Sequence, residues 1–452
     1  MHLHILGISG TFMGSLAALA TEMGHRVTGA DLNCYPPISD QLHALNIEVI
    51  PNYDVEQLEI NPDLIVIGNV MSRGMPIIEE ILNRKINFTS GPKWLADNIL
   101  KDKTVIAVSG THGKTTTSSL IAFMMKDLGI DTGYLIGGVP IGFSKSATVG
   151  TDSYFVIEAD EYDTAFFDKR SKMIHYNPDV LVINNIEYDH SDIFKDVEEI
   201  LWQFHQLIRV LPQKSKIIAN KEDSNIANLF KMGIWSEIEF FGTQKSESWS
   251  LDKVSSGYEI FRNYKKIKAL NPIIFGDHNM LNALAAIAAV AALSEVKIDQ
   301  EDLIGSVDKF PGVKRRLEYI GEFSTIKLFD DFAHHPTSIN AAINSLNDIQ
   351  GSNNTLAVVE LASNTMKTGS LKSQLLESFQ SCKHAWIIDS DDIKWDIKEG
   401  FSKIDNVSVL SDLGQLDSEI KANVNPNDNV VIMTNRSSLP IKELLINCLN
   451  SI

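Results

Sequence analysis

Gly110-Thr111-His112-Gly113-Lys114-Thr115-Thr116 combines glycines, a lysine and hydroxyls in the order that holds phosphate. Glycines let backbone N–H groups close around phosphate oxygens, and a helix N-terminus adds partial positive charge there. Lys114 is long enough to reach the β- and γ-phosphates of a nucleoside triphosphate, and the Thr115 hydroxyl is placed to ligate Mg²⁺. Counted from Gly110, the loop is shorter before its second glycine than the common GxxxxGK[ST] pattern. The bland alternative is a glycine-rich turn capped by threonines. Its surroundings argue against that: Val105 to Val108 is an apolar run expected to form a buried parallel strand, and an apolar-periodic segment from Thr116 predicts a helix.

Mg²⁺ on a triphosphate needs carboxylate, hydroxyl or imidazole ligands. Two apolar runs downstream end in such groups. YFVIEADEYD closes on Glu158, Asp160 and Glu161, and DVLVINNIEYDH on Asn184, Asn185, Glu187, Asp189 and His190. Ligands gather at the carboxyl ends of strands in doubly wound sheets, so both clusters should face the loop, with Glu158 and His190 as metal ligands. Solvated acidic loops are the alternative for either cluster alone. FGDHNMLNALAAIAAVAAL places Asp277 as an N-cap before a strong helix, with Asn279 and Asn282 on one face, offering donors and acceptors for a purine or phosphate. FPGVKRRLEYIG has the Pro-Gly break of a domain boundary, followed by Lys314, Arg315 and Arg316. An arginine there can clamp a transferring phosphoryl group, although such triplets are usually solvated patches. His334 and His335 follow Asp330-Asp331; without further spaced ligands they suit a structural or substrate-binding role better than a metal.

The elements that carry these residues alternate strand and helix from end to end. At the start, a strand, the turn Gly7-Ile8-Ser9-Gly10-Thr11-Phe12, a helix and a second strand ending at Asp31 outline a nucleotide-binding α/β unit. Ser9 and Phe12 stand where a dinucleotide fingerprint has glycines, so the turn favours the diphosphate of some other nucleotide over NAD. At 452 residues the chain is too long for one core. A net charge of −18 argues against nucleic acid, and it requires anionic ligands to be held by local donors. Cys34, Cys382 and Cys448 are scattered and odd in number, which fits a reducing cytoplasm. No apolar run is long enough to span a membrane, and the N-terminus lacks a signal peptide's basic start.

In their order along the chain, GTHGKTTT, EADEYD, NNIEYDH, GDHNMLNALAAIAAV, FPGVKRRLE and DDFAHHPT resemble the motifs of the Mur ligases, the ATP-dependent amide-forming enzymes of peptidoglycan synthesis. Further stretches, ILGISGTFMG, DLNCYPPIS, SGPKWL, GYLIGGVP, FFDKRSK and ELASNTMKTG, resemble the family's recycling branch, whose members join UDP-N-acetylmuramate to a murein tripeptide; the alanine-adding branch is the alternative. The resemblance implies three α/β domains: a Rossmann-like UDP-binding domain over residues 1–97, a P-loop ATPase-type domain over 98–312, and a Rossmann-like amine-binding domain over 313–452.

Carried over by position, Gly110 to Thr116, Asn279, Asn282, Arg316 and Asp331 handle ATP. Lys114, His190 and Arg316 are catalytic, and Thr115, Glu158 and His190 are Mg²⁺ ligands. Gly7, Ser9, Gly10, Thr11, Asp31, His334, Ser363, Asn364 and Lys367 bind the small-molecule substrates. The oligomeric state is left open. Three departures stand out. ILWQFHQLI has His205 and no lysine where several Mur ligases carry a carbamylated lysine, a feature the alanine-adding and recycling branches share. Ala362 replaces an arginine usual in the recycling branch, and MTNRSSLP, Met433 to Pro440, replaces a glycine-rich stretch.

Overall fold

The computed structural model describes all residues except 36–37, 192, 246–247, 256, 294–297 and 351–352, and the side chain of residue 350. The two prolines of DLNCYPPIS therefore lie outside the described residues. The chain forms two compact units. One comprises Met1–Ile186, Glu198–Leu270 and Ala283–Val307; the other Glu187–Val197, Asn271–Asn282 and Asp308–Ile452. Among the described residues, no helix is long and apolar enough to cross a membrane.

Two main sheets build the first unit. The amino-terminal one has five parallel strands in the spatial order Val49–Ile50, Arg26–Ala30, His2–Leu6, Leu64–Ile67, Phe88–Ser90. That order reverses direction at His2–Leu6, and the crevice beyond such a reversal is where doubly wound sheets bind ligands. The turn Gly7 to Thr11 leaves the end of this central strand. Its strands are short apolar runs because both faces are covered. Leu6, Ile65 and Ile67 pack against Ile77, Ile78 and Ile81 of the helix Pro76–Asn83. The second sheet has ten strands and mixed pairing. Its parallel middle sets Val180–Ile183, Thr104–Ser109 and Tyr154–Ala159 side by side, so three functional strand ends emerge together.

The second unit holds a six-stranded sheet in the order Glu318–Phe323, Ile326–Asp331, Asn429–Met433, Thr355–Glu360, His384–Ile388, Val407–Leu410, parallel except for the first pair. Side chains alternate between its two faces. Ala357, Val359, Val431 and Met433 enter one core, while Leu356, Val358, Val430 and Ile432 enter another.

The elements expected from pattern are present, with one informative shift. The helix expected from Thr116 begins at Lys114 and runs to Asp127, with Gly113 as its N-cap in the left-handed conformation. Lys114 and Thr115 thus sit in the first helical turn, where unpaired N–H groups face the loop.

A Cβ on Gly29 would stand 2.6 Å from Ile8 Cδ1 and 2.7 Å from the Ile5 carbonyl oxygen. Gly29→Ala must push backbone away from the amino-terminal turn. It is expected to lower stability by about 1–3 kcal/mol in denaturant unfolding; an unchanged midpoint would show that the turn tolerates displacement.

Candidate active site

The phosphate loop is held from outside by two asparagines. Ile183 pairs with Ser109, and the chain just beyond Ile183 runs alongside the loop. Thr111 N–H donates to the Asn185 carbonyl at 3.1 Å, and His112 N–H donates to Asn185 Oδ1 at 2.8 Å. Asn185 Nδ2 donates back to the His112 carbonyl at 3.2 Å, while Asn184 Nδ2 donates to Thr117 Oγ1 at 3.0 Å. The loop can follow this path because Gly110 and Gly113 adopt φ of +133° and +81°. A Cβ on Gly110 would stand 3.0 Å from the Asn185 carbonyl oxygen. Sequence reasoning placed both asparagines in a strand-end cluster but assigned neither a role; amides following a strand beside the loop were the available clue.

Lys114 Nζ donates to the Gly110 carbonyl at 2.7 Å and to Glu161 Oε2 at 3.2 Å, with Asp160 Oδ1 at 3.7 Å. Burial works against the ammonium, but the charges of Glu161, Asp160 and Glu158 outweigh it and hold its pKa above the usual lysine value. Glu158 is buried, and its Oε1 accepts from Gly137 N–H at 2.8 Å and Ser118 Oγ at 3.5 Å. Thr115 and Thr116 are buried in the same helical turn. A hydroxyl and carboxylates are hard oxygen donors, a set that fits Mg²⁺ better than a softer metal.

At the amino-terminal turn of the same unit, Asp31 Oδ2 accepts from Ser9 N–H at 2.9 Å and Asp31 Oδ1 from the Tyr53 hydroxyl at 3.3 Å. Burial and the Asp31 charge push the Tyr53 hydroxyl pKa up. Gly10 caps the helix Thr11–Glu22 without a side-chain bond, so Gly7, Ser9, Gly10 and Thr11 form one backbone-lined turn, with the Asp31 carboxylate beside it.

The other expected residues belong to the second unit. His190 has a left-handed backbone, φ +56°. Its N–H donates to Asp189 Oδ1 at 2.7 Å, which also accepts from Thr365 Oγ1 at 2.9 Å. Burial opposes the Asp189 charge, yet His190, His334 and His335 pull its pKa down to about 2. His335 Nδ1 accepts from Thr337 N–H at 3.3 Å, which assigns the proton to Nε2, 3.3 Å from the Tyr188 carbonyl. His334 Nδ1 lies 2.9 Å from the Phe332 carbonyl.

Asp331 is buried, with Oδ2 accepting from Leu317 N–H at 2.6 Å and Oδ1 from Ala333 N–H at 2.7 Å. Burial raises its pKa to about 6 against the opposing charge of Arg316. Asp331 thus braces the turn that carries Arg316, whose guanidinium lies 4.9 Å from the Phe332 ring centre. Asn279 Nδ2 donates to the Phe275 carbonyl at 2.8 Å, and Asn282 Nδ2 to Asn279 Oδ1 at 3.2 Å, so the two amides form one relay.

Ser363 caps the short helix Asn364–Thr368 through Met366 N–H. Asn364 is exposed at its start. Lys367 Nζ is 2.8 Å from Asp392 Oδ2. Arg436, not selected from sequence, reaches Asp392 at 2.7 Å and Glu360 at 3.1 Å. Val359 and Met433 are register partners on adjacent parallel strands. Ala362 and Arg436 each follow by three residues, so the two positions leave neighbouring strand ends together.

Three family models match successive segments of the chain, whereas its contacts group it into two compact units. Residues 2–103 match "Mur ligase family, catalytic domain", residues 108–290 "Mur ligase middle domain", and residues 315–436 "Mur ligase, glutamate ligase domain". The UDP-N-acetylmuramate–L-alanyl-γ-D-glutamyl-meso-2,6-diaminoheptandioate ligase of Haemophilus influenzae is 41% identical over 441 residues, 96% of each chain. The ligase of the same name from Escherichia coli is 42% identical over 440 residues, 96% of this chain and 95% of its own. The crystal structure of a murein peptide ligase from Psychrobacter arcticus aligns with a TM-score of 0.74 at 37% identity, covering 100% of this chain and 99% of that one.

Asn185→Ala removes both side-chain bonds to His112 while leaving the strand intact. ATP affinity is expected to fall about tenfold, the worth of one to two ordinary hydrogen bonds. An unchanged ATP titration in a folded variant would show that the loop holds its own shape.

Proposed function

The chain belongs to the Mur ligase family, and from that premise we propose that it uses ATP to join the lactyl carboxylate of UDP-N-acetylmuramate to the amine of L-alanyl-γ-D-glutamyl-meso-diaminopimelate. Identity of 41% and 42%, over nearly the full length, to two ligases of that name supports the substrate pair. The observation that carries the chemistry is Lys114, a partly buried ammonium kept charged at the mouth of the loop. We take the domains as residues 1–97, 98–312 and 313–452, holding UDP-sugar, ATP and amine respectively, in a cytoplasmic enzyme of peptidoglycan recycling.

A carboxylate is a poor acyl donor because its leaving group would be an oxide. Transfer of the γ-phosphoryl group makes an acyl phosphate, the amine attacks, and phosphate departs. The protein's main task is to position two anions that repel each other. Lys114 neutralises the phosphates, and the Gly110–Thr116 backbone orients them. Thr115 and Glu158 are positioned to hold Mg²⁺, which supplies further charge neutralisation when bound. We assign Arg316 to the transferring phosphoryl group, His190 to metal binding and catalysis, and Asn279, Asn282 and Asp331 to ATP handling. The turn Gly7 to Thr11, with Asp31, takes the uridine diphosphate portion.

For the amine we assign His334, Ser363, Asn364 and Lys367, and add Arg436. Lys367 shares Asp392 with Arg436, so an ammonium and a guanidinium face the same strand-end crevice. A peptide bearing carboxylates calls for such cations, whereas free alanine needs only a small pocket.

Lys114→Ala is expected to lower ligation by about 3 kcal/mol of transition-state stabilisation or more, with the fold retained. Near-normal ADP release from a folded variant would remove the phosphate-loop assignment. The amine is settled by ADP release with UDP-N-acetylmuramate plus either the tripeptide or L-alanine. The tripeptide is expected to be the better substrate; preference for L-alanine would replace the recycling assignment with the alanine-adding one.

A further inference from the structure

We propose that Lys172 is a substrate-binding residue for the anionic sugar nucleotide, holding either its diphosphate or its lactyl carboxylate. The inference rests on the ligase reading of the amino-terminal turn and adds to it a cation from another part of the chain. Lys172 follows the hairpin of Asp163–Ala165 and Asp168–Ser171, and its N–H donates to the Tyr162 carbonyl at 2.9 Å. Its ammonium lies 5.4 Å from the ring centre of Phe12 and 5.5 Å from that of Tyr162.

Those two rings define where the charge sits. Phe12 is the second residue of the helix that opens at Gly10, so its face borders the turn assigned to the diphosphate. A Cβ on Gly91 would stand 2.8 Å from Phe12 Cε1, so the ring is packed against the start of the helix Gly91–Asn98. Tyr162 directly follows Glu161, the carboxylate that pairs with Lys114. Lys172 therefore stands between the amino-terminal turn and the strand end beside the phosphate loop. A sugar nucleotide whose carboxylate must meet ATP has to run along that line.

The neighbouring cations are already occupied. Lys169 pairs with Asp163 at 2.6 Å and Arg170 with Asp168 at 2.7 Å. Among the described residues, the Lys172 ammonium has no carboxylate partner and lies over two aromatic faces. An aromatic face attracts a cation without saturating its three N–H donors. A half-buried ammonium held this way remains able to take an anion.

The test uses the full chain and the variants Lys172→Met and Lys172→Arg, each first checked for an unchanged thermal midpoint. Isothermal titration with UDP-N-acetylmuramate is expected to show affinity falling about tenfold or more in Lys172→Met, the worth of one charge-assisted hydrogen bond, with most of it retained in Lys172→Arg. ATP affinity is expected to stay unchanged. UDP-N-acetylglucosamine, which lacks the lactyl carboxylate, separates the two sources. An equal loss with both ligands places Lys172 on the diphosphate, and a loss with the muramate alone places it on the carboxylate. Equal binding of UDP-N-acetylmuramate by Lys172→Met and the unmodified protein overturns this inference and leaves the ligase reading intact. Failure of the unmodified protein to bind either sugar nucleotide overturns both.

Discussion

One partly buried ammonium sets the terms for the proposed phosphate site. Lys114 stays protonated because Glu161 and Asp160 stand at 3.2 and 3.7 Å. The same carboxylates that keep it charged also compete with phosphate for it, while the Gly110 carbonyl aims it at the loop. On the proposed reading, a triphosphate meets there a donor whose charge is already set. In a chain of net charge −18, an anion has to be held by local donors such as this ammonium.

The backbone around the ammonium is fixed by neighbours more than by its own residues. Asn184 and Asn185 sit beyond a strand whose register with Thr104–Ser109 is set by buried apolar side chains. The packing of the sheet is thereby converted into the shape of a loop. In the second unit Asp331 plays a comparable part, spending both oxygens on the amides of Leu317 and Ala333 to hold the turn at Arg316.

Much of this was legible in the chain because parallel strands covered on both faces are short apolar runs, and glycine turns punctuate them. The strands ending at Ser109, Ala159, Ile183, Asp331 and Glu360 follow from that pattern, as does the phosphate loop. Hydrogen-bond partners were not legible, since they depend on which strand ends become neighbours. Asn185 reads as one more polar residue until Val180–Ile183 is seen beside Thr104–Ser109. Tyr154–Ala159 shows the same effect: its end supplies the carboxylates around Lys114, although 44 positions separate Lys114 from Glu158 in the numbering. The cations Lys169, Arg170 and Lys172 of FFDKRSK are alike as residue types; only geometry distinguishes two paired cations from one lying on aromatic faces.

The paired strand ends at Ala362 and Arg436 bear on how substitutions in such sheets are counted. Scored position by position, the arginine that the family resemblance leads one to expect at Ala362 and the Arg436 present here are unrelated. The two positions nevertheless each lie three residues past a register pair on adjacent parallel strands. A crevice lined by parallel strand ends can therefore keep its electrostatic pattern while the residues that write it drift from column to column.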